Sequence, residues 1–180
     1  MTTLRRVRTG DLTPEELAAI RALCDAAWGA PDDSFGDDDW RHALGGVHVL
    51  VEEGGQILSH GSVVPRTLRI GGLDVATGYV EAVATWPARQ RHGHGTAVMR
   101  DVTAYIDDTF AVGALCTNVP GFYERLGWTR WTGPTSVRRG GGDRPTPEED
   151  GAVLVRVTPS SPDLDPSAPI SCDWRPGDVW

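Results

Sequence analysis

The sequence lacks any apolar run approaching a membrane span, and its basic start, Met1 to Val7, is followed by no hydrophobic segment. A spanning helix needs about 20 consecutive apolar residues, so a soluble, cytoplasmic protein is expected. Cysteine is scarce: Cys24, Cys116 and Cys172 lack the close spacing of a metal site or a disulfide framework, so they read as reduced thiols. Positive charge is also short. With 17 basic against 25 acidic side chains the net charge is -8, which disfavours nucleic acid or an anionic membrane as partner and would attract a cationic one. No glycine-lysine pair precedes a serine or threonine, which excludes the phosphate loop of kinases and ATPases. No internal repeat or low-complexity segment is present.

At 180 residues and 39% hydrophobic content, with 7 tryptophans, the chain suffices for one domain, residues 1–180, with its own core. Thr13-Pro14-Glu15-Glu16 is a capping box with proline at the first helical position, and the apolar residues after it predict a helix to about Trp28. A loop rich in acids, Ala30 to Asp39, leads to a short helix or turn around Trp40 to Leu44. From Val47 the period becomes that of strands. His48 to Glu52 and Ile57 to Val64 predict a hairpin about Gly54-Gly55. Arg66 to Ile70, Leu73 to Thr77 and Tyr79 to Thr85 extend it as a meander. Thr96 to Asp107 predicts a helix, Val112 to Cys116 a buried strand, and Phe122 to Arg125 a short helix ended by Gly127. Gly140 to Gly142 reads as a flexible break, and Ala152 to Val157 as a returning strand. A tail carrying Trp174 and Trp180 is expected to dock rather than fray.

The most informative stretch is Gln90-Arg91-His92-Gly93-His94-Gly95, between a predicted strand and a predicted helix. The first amides of a helix lack carbonyl partners and lie at the positive end of its dipole, where phosphates bind. Gly93 and Gly95 allow a sharp turn and close approach to the backbone, and Arg89 and Arg91 add positive charge. A dinucleotide fingerprint would need a third glycine where Val98 stands, and an early strand. His92 and His94 lack a nearby third ligand, so no metal site is expected. His48 and His60 read as structural histidines in strands.

The Gln-x-x-Gly-x-Gly pattern after a strand resembles the acyl-CoA pyrophosphate loop of the GNAT acetyltransferase superfamily, as does the order of elements. Gly78-Tyr79-Val80-Glu81, Trp131 to Ser136, Thr146-Pro147, and Cys172-Asp173-Trp174-Arg175 with Gly177-Asp178-Val179-Trp180 resemble aminoglycoside 2'-N-acetyltransferases of actinobacteria. That resemblance implies an α+β GNAT fold: a central mixed, mostly antiparallel sheet flanked by helices. It implies direct acetyl transfer from acetyl-CoA, with CoA as product, to the 2'-amine of an aminoglycoside in a ternary complex, hence antibiotic resistance, and a homodimer.

By the same resemblance, the backbone of Ala82, Val83 and Thr85 lies beside the pantetheine and acetyl group, with the Val83 N–H stabilising the oxyanion. Arg89, Gln90, Arg91, His92, Gly93, His94, Gly95, Thr96 and Asn118 hold the coenzyme. Glu81 is either a base acting through water or an electrostatic contact to the sugar. Tyr123 is either the proton donor to the CoA sulfur or a packed core tyrosine. Asp33, Glu81, Ala82, Glu149, Asp178 and Trp180 with its terminal carboxylate grip the acceptor, and the tail, about 158–180, closes its site. Ala82 stands where glycine is expected, and Cys116-Thr117-Asn118 replaces a serine-rich stretch. The competing readings are the same chemistry on a cell-wall amino sugar or polyamine, and an acyl-CoA-binding regulatory module without turnover.

Overall fold

The computed structural model describes residues 1–30 and 33–180, and its contacts divide the chain into two compact units. Residues 1–64 and 80–104 form the first, and residues 65–79 and 105–180 the second. The fold is α+β, and most strand pairs are antiparallel.

The first unit opens with β1 (Thr2–Arg8), which pairs antiparallel with β4 (Val47–Glu53) along its whole length. No strand is predicted for Thr2 to Arg8 from sequence, because its apolar residues are few; pairing to a buried neighbour overrides weak local preference. Helix α1 (Pro14–Ala27) begins at the predicted capping box: Thr13 Oγ1 accepts from the Glu16 N–H, and Glu16 returns a carboxylate to the Thr13 N–H at 2.8 Å. Its buried stripe, Ile20, Leu23 and Cys24, packs with Leu12, Leu50, Ile57 and Ala84. The two-residue strands β2 (Gly29–Ala30) and β3 (Asp33–Ser34) pair with each other, and α2 (Asp37–His42) follows.

Strand β5 (Gln56–Ile70) is one long strand where two are predicted, and so is β6 (Leu73–Thr85). Pro65 does not interrupt β5; it lies exposed, where its missing donor costs little. Residues 47–53 pair with 56–63 across the Gly54-Gly55 turn. Helix α3 (His94–Thr109) starts two residues before its predicted bound, so His94 and Gly95 belong to its first turn. It comes close to β5 at Gly61, where a Cβ would lie 2.9 Å from Val98 Cγ1 and 3.4 Å from Val83 Cγ2.

In the second unit, β6 residues 77–79 pair in parallel with β7 (Val112–Cys116), which pairs antiparallel with β11 (Val153–Val157). Helix α4 (Pro120–Glu124) ends as predicted: Gly127 has φ 86°, and Trp128 N–H returns to Tyr123 O at 3.2 Å. Strand β8 (Thr129–Arg130) borders β11. Gly140 and Gly141 form no loose break; both have positive φ and turn β9 (Thr135–Arg139) into β10 (Gly142–Pro145). The tail contributes β12 (Ile170–Asp173), parallel to β9 and antiparallel to β5. Trp180 is 3% exposed, whereas Trp174 is 42% exposed.

Candidate functional site

In the first unit, β6 changes character at Glu81, Ala82 and Val83, which are half-buried between buried Val80 and buried Ala84. Ala82 has φ 51°, a left-handed conformation that costs a residue with a Cβ about 1–2 kcal/mol. That geometry explains why glycine is the residue expected there. Three buried polar side chains of β5 grip carbonyls along this bend: Ser62 Oγ donates to Glu81 O at 3.2 Å, His60 Nδ1 lies 2.8 Å from Ala82 O, and Ser59 Oγ donates to Ala84 O at 2.8 Å. Ser59 also meets Thr85 Oγ1 at 2.7 Å.

The glycine loop follows after a 3-10 turn, Pro87–Arg89. Arg91 (φ 64°) and Gly93 (φ 85°) are left-handed, alternating along the main chain in the manner of backbone nests that bind anions. Ala97 N–H closes onto Gly93 O at 2.9 Å as the first α-helical bond. Helix geometry gives the preceding amides, to Thr96, no acceptor within the helix. Gln90 Nε2 turns back to Thr85 O, His92 Nδ1 donates to Gln90 O at 2.8 Å, and the His92 and His94 rings stack. Arg89 lies 3.7 Å from Glu53, an exposed pair that leaves its guanidinium reachable.

In the second unit, Tyr123 on α4 is 8% exposed and burial pushes its phenol up to about 12, so it holds its proton at neutral pH. Phe122 packs edge-on against it. Asn118 is exposed between β7 and α4. At the end of β7 the Cys116 thiol donates to Glu149 Oε2 at 3.1 Å. Burial, then that bond, then the charges of Glu149 and Asp178 raise the thiol pKa. Cys24 and Cys172 are buried, and burial raises both thiols, Cys24 to about 12. None of the three is disposed to act as a thiolate.

The tail is stitched down through its main chain. Arg66 Nη2 donates to Asp173 O and Val179 O, and Arg175 donates to Asp178 O and Trp180 O. Both guanidiniums lie over the Tyr79 ring, at 4.5 and 5.6 Å from its centroid. The Trp180 indole donates to Thr146 Oγ1 at 3.0 Å, and its backbone N–H to the Asp178 carboxylate. Glu149 is half-buried and Asp178 exposed. The Asp33 side chain lies outside the described residues.

Sequence reasoning missed three groups here: His60 against Ala82 with His48 behind it, the thiol on Glu149, and the arginines on the tail. Only the first left a signal, since Ser59, His60 and Ser62 interrupt the otherwise apolar run Ile57 to Val64.

A sequence profile of the acetyltransferase (GNAT) domain matches residues 8–131. The chain belongs to the GNAT acetyltransferase family. The acetyl donor of that family is acetyl-CoA. An aminoglycoside 2'-N-acetyltransferase of Mycolicibacterium fortuitum is 38% identical over 99% of this chain and 92% of its own length. A GNAT family acetyltransferase from Brucella melitensis, solved with acetyl-CoA, has the same fold, with a TM-score of 0.61 at 21% identity over 92% of this chain and 94% of the other. A GCN5-related N-acetyltransferase from Kribbella flavida matches 74% of the chain with a TM-score of 0.59 at 22% identity, and the match spans 34% of that longer protein. Among the described residues no helix is long and apolar enough to cross a membrane.

Proposed function

We propose that this acetyltransferase moves the acetyl group of acetyl-CoA to the 2'-amine of an aminoglycoside, by direct attack, and releases CoA. The observation that carries the acceptor class is the 38% identity to the Mycolicibacterium fortuitum enzyme over 99% of the chain. The donor is supported by the bend at residues 91–93. A Cβ on Gly93 would meet nothing within 4 Å, so the amides that open α3 are approachable by a diphosphate.

Acetyl-CoA supplies a thioester carbonyl. The first unit holds it through Thr85, Arg89, Gln90, Arg91, His92, Gly93, His94, Gly95 and Thr96, and aims the Val83 N–H at the carbonyl oxygen, where charge develops. An ammonium cannot attack, so one proton leaves the acceptor first, and the Glu81 carboxylate takes it through a water; a second leaves the nitrogen as the tetrahedral intermediate collapses and balances the proton that the thiolate gains. Tyr123, whose buried phenol keeps its proton, gives that proton to the departing thiolate. Asn118 completes the coenzyme contacts. Glu149, Asp178 and Trp180, with Ala82 and Asp33, meet the cationic sugars, and residues 158–180 form the closing tail of a single catalytic domain. A cytoplasmic homodimer conferring antibiotic resistance completes the reading.

The test is CoA release with tobramycin or gentamicin, which carry a 2'-amine, against kanamycin A or amikacin, which carry a 2'-hydroxyl. Turnover confined to the first pair is expected. Acetyl-CoA binding without turnover of either pair would transfer the assignment to another amine or to a regulatory module.

A further inference from the structure

His48 and His60 are wholly buried in the first unit, on paired strands, and have no part in the chemistry above. They form the middle of a continuous chain of hydrogen bonds. Gly45 N–H donates to Thr9 Oγ1 at 2.9 Å, Thr9 Oγ1 lies 2.8 Å from His48 Nε2, His48 Nδ1 lies 2.8 Å from His60 Nε2, and His60 Nδ1 lies 2.8 Å from Ala82 O.

The end of this chain fixes its direction. A carbonyl oxygen only accepts, so the proton of His60 is on Nδ1. In a neutral ring Nε2 is then an acceptor, which requires His48 to donate from its own Nδ1. His48 Nε2 in turn takes the one proton of the Thr9 hydroxyl at 2.8 Å, in preference to Gly46 O at 3.2 Å from the same oxygen. Burial pushes both imidazoles down, His48 to about 4 and His60 to about 3, so both rings are neutral at physiological pH. The chain cannot serve as a proton wire, because Ala82 O offers no site to pass a proton onward. What it does is pull one carbonyl, that of the residue with φ 51°.

We propose that Thr9, His48 and His60 are positioning residues: a strut with fixed tautomers that holds Ala82 left-handed, so that the amide joining Ala82 to Val83 keeps its N–H aimed at the acetyl carbonyl. Glycine would adopt this backbone unaided; with alanine the conformation is held from behind. Ser62 and Ser59 brace the flanking carbonyls, which leaves the one at Ala82 as the histidines' share. The inference rests on the oxyanion role assigned above to Val83.

Two experiments decide it. Long-range proton–nitrogen NMR of the imidazoles at pH 7, on the unaltered protein, should show both histidines neutral with the proton on Nδ1; a proton on Nε2 of His60 would overturn the strut. The variant His48→Leu with His60→Leu removes both polar rings together, so neither leaves the other unpaired; the Thr9 hydroxyl keeps Gly46 O as acceptor, and the Ala82 carbonyl loses its donor, which is the change under test. It should bind acetyl-CoA within about threefold of wild type, since the glycine loop is untouched, while kcat falls about 100-fold, as for a small misplacement of a catalytic group. Adding Ala82→Gly should recover most of that loss, a rescue that general loosening of the core would not permit. Unchanged kcat in the leucine pair, or no recovery with Ala82→Gly, refutes the proposal. Tautomers and coenzyme affinity need no acceptor, so a wrong acceptor assignment, seen as wild type inert toward 2'-amines, is told apart from a failed strut.

Discussion

The bend in the first unit and the acidic cluster in the second are built on opposite plans. At the bend, the groups proposed to act are on the main chain, and buried Ser59, His60 and Ser62 hold its carbonyls at 2.8 to 3.2 Å. In the cluster, the groups proposed to meet the acceptor are the carboxylates of half-buried Glu149 and exposed Asp178, and the Cys116 thiol donates to Glu149 at 3.1 Å. Groups that meet a developing charge must be aimed before it appears, because reorganisation during reaction costs rate. Groups that meet a standing positive charge gain from reach and tolerance instead. Damage to the bend should therefore appear in kcat or in coenzyme affinity, and damage to the cluster in the KM of the acceptor.

Glu81 tests that division most severely, since it lies at the bend yet carries a carboxylate. As a base it should give Glu81→Gln a kcat lower by about 10²–10⁴-fold, with the acceptor KM little changed. Raised KM at preserved kcat would make it an electrostatic contact and assign it to the second plan.

The histidine strut predicts an acid sensitivity. His48 and His60 have folded pKa values depressed from 6.5 to about 4 and about 3. The unfolded chain therefore binds more protons below pH 6.5, and the stability these rings contribute is present above that pH. It drains as pH falls from about 6.5 to the folded values of about 4 and about 3, by about 1.4 kcal/mol per pH unit per histidine, and levels off below them. Urea unfolding between pH 7 and 4 should show the slope, and His48→Leu with His60→Leu should flatten it. An equal slope in the variant would place the acid response elsewhere.

Gly93→Ala probes the bend at its other end. The added methyl meets open space, but φ 85° costs about 1–2 kcal/mol, so acetyl-CoA should bind about tenfold more weakly by calorimetry with kcat at saturation retained. A loss of kcat instead would mean that the loop also sets the reacting geometry.

These contrasts also explain what the sequence disclosed. Capping boxes, glycine turns and the strand-to-helix loop were legible because each is a local rule written in adjacent residues: Thr13 to Glu16, Gly54-Gly55, and Gln90 to Gly95. Strand β1 was not, since Thr2 to Arg8 acquires its structure from β4, some forty residues away. Gly140 to Gly142 looked loose because a hairpin turn and a linker share a composition, and only the strands on either side distinguish them. At the site, left-handed Ala82 gives physical sense to the glycine expected there, but the strut behind it joins Thr9, His48, His60 and Ala82, four positions that no spacing rule connects.

The smallest effect belongs to Cys116, and it separates two views of the cluster. The thiol occupies one of about four lone-pair positions on the Glu149 carboxylate, leaving room for an ammonium. If its part is to hold the carboxylate in place, Cys116→Ala frees a side chain that the acceptor must then immobilise, at about 1 kcal/mol. The acceptor KM should rise about fivefold, with kcat and acetyl-CoA affinity unchanged. If the thiol instead competes with the acceptor for the carboxylate, the same variant lowers KM. The strut admits no such ambiguity, because nothing bound from outside competes for its hydrogen bonds. A lowered KM would therefore mark the cluster as a surface whose own contacts must be broken for binding, and would sharpen the contrast with the pre-aimed bend.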